Sequence, residues 1–299
     1  MSPLDYIRSQ QVELTAIRRD LHAHPELGFE EHRTAEIVSR ELDRLGIEYH
    51  NHVGKTGVVG VIRGERDNGR AVGLRADMDA LPIVEASGVE YASQSPGRMH
   101  ACGHDGHTTM LLGAARYLAA TRRFSGTVFL IFQPGEEGFA GGKAMVEEGL
   151  FERFPADEIY ALHNWPALPP GTIAVRPGPM MAAADRIEIH IEGRGGHGAH
   201  PHMSVDPVLV AGYTRSYLSV ADELIGPENV VRDLEPSMGS EDFSFMLQQR
   251  PGAYARLGQG GAEGGCFLHN SRYDFNDEVI PLGAGYMAAL AEHALPLAR

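Results

Sequence analysis

Cysteine is scarce in this chain, with only Cys102 and Cys266 in 299 residues, so at most one internal disulfide can form and a secreted disulfide scaffold is excluded. Positive charge is also in short supply. Lysine and arginine number 26 against 40 aspartates and glutamates, a formal net charge of -14, which argues against a surface that neutralises nucleic-acid phosphates or docks on anionic lipid. Neither a nucleic acid nor a membrane is expected as a partner. Long apolar runs are missing both from the opening MSPLDYIRSQQVELTAIRRD and from the rest of the chain. No signal peptide or membrane span is read, and a soluble cytoplasmic protein is the expectation. Two catalytic signatures are absent as well. There is no G-x-S-x-G for a serine hydrolase, and glycine runs such as GGAEGG at 260–265 lack the GxxxxGK[ST] phosphate cradle.

What is abundant points elsewhere. A hydrophobic content of 43% is enough for a large core, while 36 glycines and 15 histidines suit an enzyme whose loops hold a metal. Leu14, Ile17 and Leu21, then Ala35, Val38, Leu42 and Leu45, recur at helical spacing, with Gly46 placed to stop the second helix. Short apolar runs follow at 58–62, 71–76, 127–132 and 158–163, and between the second and third a helix is predicted from Thr108 to about Ala120. Strands alternating with helices imply an α/β sheet covered on both faces. The segment Arg186–Glu192 alternates strictly, as a strand with one wet face does, and it follows RPGPMMAAAD, a connection that suits a domain boundary. A short helix from Asp206 to Gly212, another over 213–226 and a closing helix from Ala284 to Leu295 complete the reading.

Candidate chemistry gathers in few places. MHACGHDGHT at 99–108 crowds thiol, imidazole and carboxylate groups before a helix, with Cys102 and His104 flanked by His100, Asp105 and His107, which are metal-ligand types at ligand spacing. QPGEEG at 133–138 puts Glu136 and Glu137 on a turn at the carboxyl end of a buried strand, where open α/β sheets place their ligands. His163 ends a strand, and Asp77 and Asp79 follow another. His269 stands apart in CFLHNS. A closed structural zinc site from Cys102, His104, Cys266 and His269 has suitable ligand types, but it leaves Glu136, Glu137 and His163 without a role.

Together these residues resemble peptidase family M20, in its amidohydrolase branch of hippurate hydrolases, N-acyl-amino-acid hydrolases and auxin-conjugate hydrolases. The resemblance runs through RRDLHAHPELGFEE at 18–31, RADMDALPI at 75–83, MHACGHDGHT, FQPGEEG, ALHNW at 161–165, GGHGAHPH at 195–202, MGSEDFSF at 238–245 and LHNSRYDFNDEVIPLGA at 268–284. It implies a zinc-peptidase-like catalytic domain, with a mixed sheet flanked by helices, and an inserted α+β lid. It further implies that Cys102, His104, Glu137, His163 and His269 ligate two divalent ions, manganese first, with zinc, nickel or cobalt as alternatives. Glu136 would be the general base, Asp79 a carboxylate steering a metal ligand from behind, and His197 a lid histidine that approaches the reacting carbonyl, sometimes across a dimer. The implied reaction is hydrolysis of the amide of an N-acyl amino acid.

The chain departs from the family in its lid. Only residues 183–212 remain between the catalytic parts 1–182 and 213–299, whereas an independent domain usually needs at least about 50 residues. A remnant lid puts closure, lid-mediated homo-oligomers and grip on the substrate's carboxylate in question. Two alternatives follow, a catalytically weak metal-binding remnant and a dipeptidase or carboxypeptidase.

Overall fold

A computed structural model describes residues 1–176, 219–231, 241–261 and 266–297. Its strands form an eight-stranded mixed sheet in the order β1-β2-β4-β3-β5-β8-β6-β7. These are β1 (Glu48–Val53), β2 (Gly57–Arg63), β3 (Arg66–Asp77), β4 (Ser125–Gln133), β5 (Glu158–Trp165), β6 (Ile173–Ala174), β7 (Val230–Val231) and β8 (Gly252–Gly258). The helices are α1 (Pro3–Arg8), α2 (Gln11–Ala23), α3 (His32–Arg44), α4 (His104–Thr121), α5 (Glu136–Phe139), α6 (Gly141–Glu147) and α7 (Leu150–Arg153). They continue with α8 (described over 219–225), α9 (Phe243–Leu247) and α10 (Ile280–Ala294).

Strand β4 shows why the layers form. Its sequence SGTVFLIFQ is apolar on both faces, so Val128, Leu130 and Phe132 join the core beneath α2, α4 and α10 while Phe129 and Ile131 join a second core with Met145, Phe151 and Phe243. Helix α4 is buried along nearly its whole length because the sheet lies on one side of it and α2 and α10 on the other. The four expected strands and the α/β layering are present. Strands β1, β6, β7 and β8 were not foreseen. The run Gly252–Gly258 is fully buried yet carries Tyr254 and Arg256, which disguises a core strand as a polar, glycine-rich stretch.

Strands β4, β3, β5 and β8 run parallel, so their carboxyl ends share one edge. The chain leaves β3, crosses by α4 to β4, and then returns by α6 and α7 to β5 on the other side of β3. Such a reversal opens a crevice at the strand ends. The strand and helix read at 186–192 and 206–212 lie outside the described residues, as do residues 213–218 of the helix read over 213–226, whose remainder is helical over 219–225.

Candidate metal centre

Gly103 opens the site. It sits in the left-handed region (φ 94) at the start of α4, and a Cβ there would strike Asn164 and Tyr273, so glycine alone lets the chain turn this tightly. Helix α4 therefore begins at His104, four residues before the predicted Thr108, and carries two histidines on its first turn. Cys102 Sγ lies 3.5 Å from His163 Nε2. His163 Nδ1 donates to its neighbour's carbonyl, Asn164 O, at 2.7 Å, which leaves Nε2 as the free lone pair.

The glutamate turn is built from backbone. Gly135 is left-handed (φ 57), and Glu137 (φ -72, ψ 71) breaks helical geometry directly after Glu136, so the adjacent carboxylates meet different neighbours while both stay beside His104. Asp79 organises both halves of the site. Its Oδ1 accepts from Glu136 N at 3.0 Å and its Oδ2 from Glu137 N at 2.9 Å, while Oδ1 also stands 3.3 Å from His104 Nδ1. Glu137 Oε1 lies 3.9 Å from His104 Nε2 and 3.1 Å from His269 Nε2. His269, on the rim, is placed by its own N–H donating to Ala101 O at 2.7 Å.

The ligand atoms of Cys102, His104 and His163 lie within 4.8 Å of one another, as do those of Cys102, Glu137 and His269, and those of His104, Glu136 and Glu137. All five residues expected as ligands are thus brought into one cluster with Glu136 and Asp79. Cys266 belongs to no such group among the described residues, which removes the geometric basis of a closed zinc site. His197 lies outside the described residues.

Electrostatics fit the donor set to a cation. Burial first, then the Glu137 carboxylate, pushes the Cys102 thiol well above its ordinary value, so a thiolate forms there only beside positive charge. Burial, then His107, lowers His163 and keeps it neutral, the form that binds metals. His104 Nδ1 and Nε2 and Glu137 Oε1 are buried and make no well-aligned hydrogen bond, although Asp79 and His269 stand 3.3 and 3.1 Å away, whereas buried polar atoms are normally paired. Burial, then Glu241 and Glu137, pushes Glu136 well up from the carboxylate range.

Several residues behind the site carried only weak signals. Asp77 accepts from His107 Nδ1 at 2.5 Å and from Arg75 Nη1 at 2.7 Å. Burial opposes its charge, but Arg75, His104 and His107 hold it well below the carboxylate range. Fully buried Arg75 also reaches Glu241 Oε1 at 2.9 Å and Gln133 Oε1 at 2.8 Å. His107 Nε2 meets Asn164 Oδ1 at 2.6 Å. Asn164 and Glu241 were legible only as letters within longer motifs.

The model of the Peptidase family M20/M25/M40 matches residues 73–293. The chain belongs to this family. A hippurate hydrolase of Campylobacter jejuni is 34% identical over 383 aligned positions, covering 97% of this chain and 99% of that protein. Those positions outnumber the 299 residues of this chain, so the relative carries residues within the match that this chain lacks. IAA-amino acid hydrolase ILR1-like 5 of Arabidopsis thaliana is 49% identical over 201 residues, 66% of this chain and 45% of that one. Among solved structures, the YXEP protein of Bacillus subtilis, described as a dinuclear metal binding peptidase of the M20 family, superimposes with a TM-score of 0.79 at 29% identity, covering 96% of this chain and 99% of that one. This M20 chain is a metal-dependent hydrolase of the amidohydrolase kind. None of its described helices is long and apolar enough to cross a membrane.

Proposed function

We propose that this M20 chain hydrolyses the amide bond of N-acyl amino acids, of the hippurate or N-acetyl-amino-acid type, releasing a carboxylic acid and an amino acid. The observation that carries the reading is the pair of adjacent glutamates that share His104 but differ in their other neighbours, Glu137 standing with Cys102 and His269 and Glu136 with Glu241 and Asp242. Cys102, His104, Glu137, His163 and His269 would hold two divalent ions, with manganese first and zinc, nickel or cobalt as alternatives. Bound there, such ions would supply Lewis-acid polarisation of the scissile carbonyl and a lowered pKa for bound water. Glu136 then acts as general base, taking the proton of the attacking water and delivering it to the leaving amine. Asp79 keeps His104 oriented and the glutamate turn in place. The names of the hippurate and IAA-amino acid hydrolases support amide hydrolysis on an acyl amino acid.

The same reading gives the catalytic domain residues 1–182 and 213–299 and leaves 183–212 as a shortened lid carrying His197, which would help stabilise the developing oxyanion. The cellular compartment proposed is the cytoplasm. The test is a panel of N-benzoyl and N-acetyl amino acids, dipeptides and C-terminally blocked peptides, assayed with manganese-loaded protein by quantifying the free amino acid. Release from the N-acyl amino acids is expected. Cleavage confined to dipeptides or free peptide carboxyl ends would move the reading to a dipeptidase or carboxypeptidase, and bound metal without cleavage of any member to a weak remnant.

A further inference from the structure

Glu31 is fully buried at the start of α3, in the position where a helix is capped. It does not cap its own helix. Glu26 performs that task, accepting from Arg33 N at 3.0 Å and Thr34 N at 2.8 Å. The Glu31 side chain instead crosses to the glutamate turn, where Oε1 accepts from Gly135 N at 2.8 Å while Oε2 accepts from the Thr56 hydroxyl at 2.5 Å. A buried carboxylate held by an amide and a hydroxyl rather than by a cation is costly, and burial raises its pKa accordingly.

Set beside Asp79, the contact forms a pattern. The backbone N–H groups of Gly135, Glu136 and Glu137 follow one another, and each donates to a buried carboxylate oxygen, the first to Glu31 and the next two to Asp79. Successive N–H groups in a left-handed turn form a small anion-binding concavity; here the protein fills it with its own side chains. The two carboxylates are also tied to each other through the backbone, because Ala80 N donates to Glu26 O at 2.8 Å and Leu27 bridges to Ala80. Residues 26–31 and 79–80 thus make one support under the turn, and the Phe29 ring meets Phe139 edge-on at its far end.

We propose that Glu31 is a positioning residue for the hydrolysis: together with Asp79 it fixes the left-handed entry at Gly135 and thereby where the carboxylates of Glu136 and Glu137 stand. This rests on the reading of Glu136 as base and Glu137 as metal ligand. Removing the Gly135 contact frees one end of a turn whose neighbouring residues have opposite tasks, and misplacement by about 1 Å costs on the order of 10²-fold in rate.

The experiment compares Glu31→Ala, Glu31→Gln and Glu137→Gln as folded, metal-loaded proteins, reading kcat, KM and the visible spectrum of the cobalt(II) forms, which reports ligand geometry. Glu31→Ala is expected to lower kcat by about 10- to 100-fold with a smaller change in KM, and to shift the cobalt spectrum in the direction seen for Glu137→Gln. Glu31→Gln keeps an oxygen acceptor for Gly135 N and is expected to recover most of the loss. If the alanine variant does not fold, Glu31→Asp carries the test, since it keeps the charge and withdraws the acceptor. A wild-type cobalt spectrum and a wild-type kcat per bound metal in Glu31→Ala, or in Glu31→Asp where that variant stands in, overturn the proposal. Should Glu137→Gln itself leave the cobalt spectrum unmoved, the ligand assignment has failed instead, and the kcat of the Glu31 variants alone decides the positioning role.

Discussion

Two buried polar clusters meet at the first turn of α4, and they differ in how completely their atoms are paired. In the first, Arg18 donates through Nε and Nη2 to Asp277 at 2.5 and 2.9 Å and through Nη1 to Asp274 at 3.3 Å. His22 lies beside it, with Nδ1 2.8 Å from Asp105 and Nε2 3.2 Å from Glu85. Every nitrogen of that guanidinium and that imidazole has a carboxylate. In the second cluster, His104 and Glu137 face one another with buried atoms that have charged groups within 3.1 to 3.9 Å but no well-aligned hydrogen bond. A saturated cluster stabilises a fold, whereas thiol, imidazole and carboxylate groups left converging and unpaired are arranged for something the chain does not itself supply. Neighbouring residues of one helix, His104 and Asp105, belong to the two different clusters.

The largest expected effect separates them by chemistry. A strong chelator should abolish activity, and elemental analysis should show metal restored with manganese or zinc. Cys102→Ser and His104→Ala should lower metal content while Cys266→Ser leaves it unchanged; metal lost from Cys266→Ser alone would revive the closed zinc site. Next, Glu136→Gln should retain metal yet slow kcat by about 10²- to 10⁴-fold, and Glu137→Gln should weaken metal binding. Equal metal loss in both variants would mean the two roles are misassigned.

Arg18→Met tests the saturated cluster. It leaves Asp105, Asp274 and Asp277 without their guanidinium and should reduce unfolding free energy by about 3–5 kcal/mol, measured in urea, with metal content per folded molecule unchanged. Metal loss matching the fraction of stability lost would show that the clusters are one unit.

The smallest effect is a pH dependence. Burial works against a charged His22, but Asp105 and Glu85 outweigh it and raise its pKa from 6.5 to about 9. The folded state therefore binds this proton more tightly than the unfolded chain does. The resulting stability is fully present below about pH 6.5 and is lost as pH rises through about 9, worth on the order of 3 kcal/mol. Thermal melts between pH 6 and 9.5 should fall more steeply for the wild type than for His22→Gln; parallel slopes would show that His22 is neutral when folded.

Much of the metal cluster was legible in the chain because its donors sit in short runs. Cys102 and His104 are two apart, Glu136 and Glu137 are adjacent, and both runs border apolar stretches whose ends had to reach one sheet edge. The supports were harder to read. Asp105 lies among the metal-type residues in sequence but turns to Arg18 and His22, a partition that depends on which face of the first helical turn each side chain takes. The start of α4 at His104 was hidden because Gly103 and Gly106 look like loop residues; the first is the left-handed entry to the helix, and the second lies under the Phe275 ring.

By itself the sequence determined the layering and the donor types, since apolar period and ligand spacing are local properties that survive in any chain able to bury those runs. Only the tertiary structure decided which polar residues would be saturated and which left converging. Glu31 meets Gly135, Arg75 meets Glu241 and Arg18 meets Asp277 across more than a hundred residues of chain. No local pattern encodes such pairings, because each exists only once the strand ends and helix termini have been packed to one edge and water has been excluded from between them.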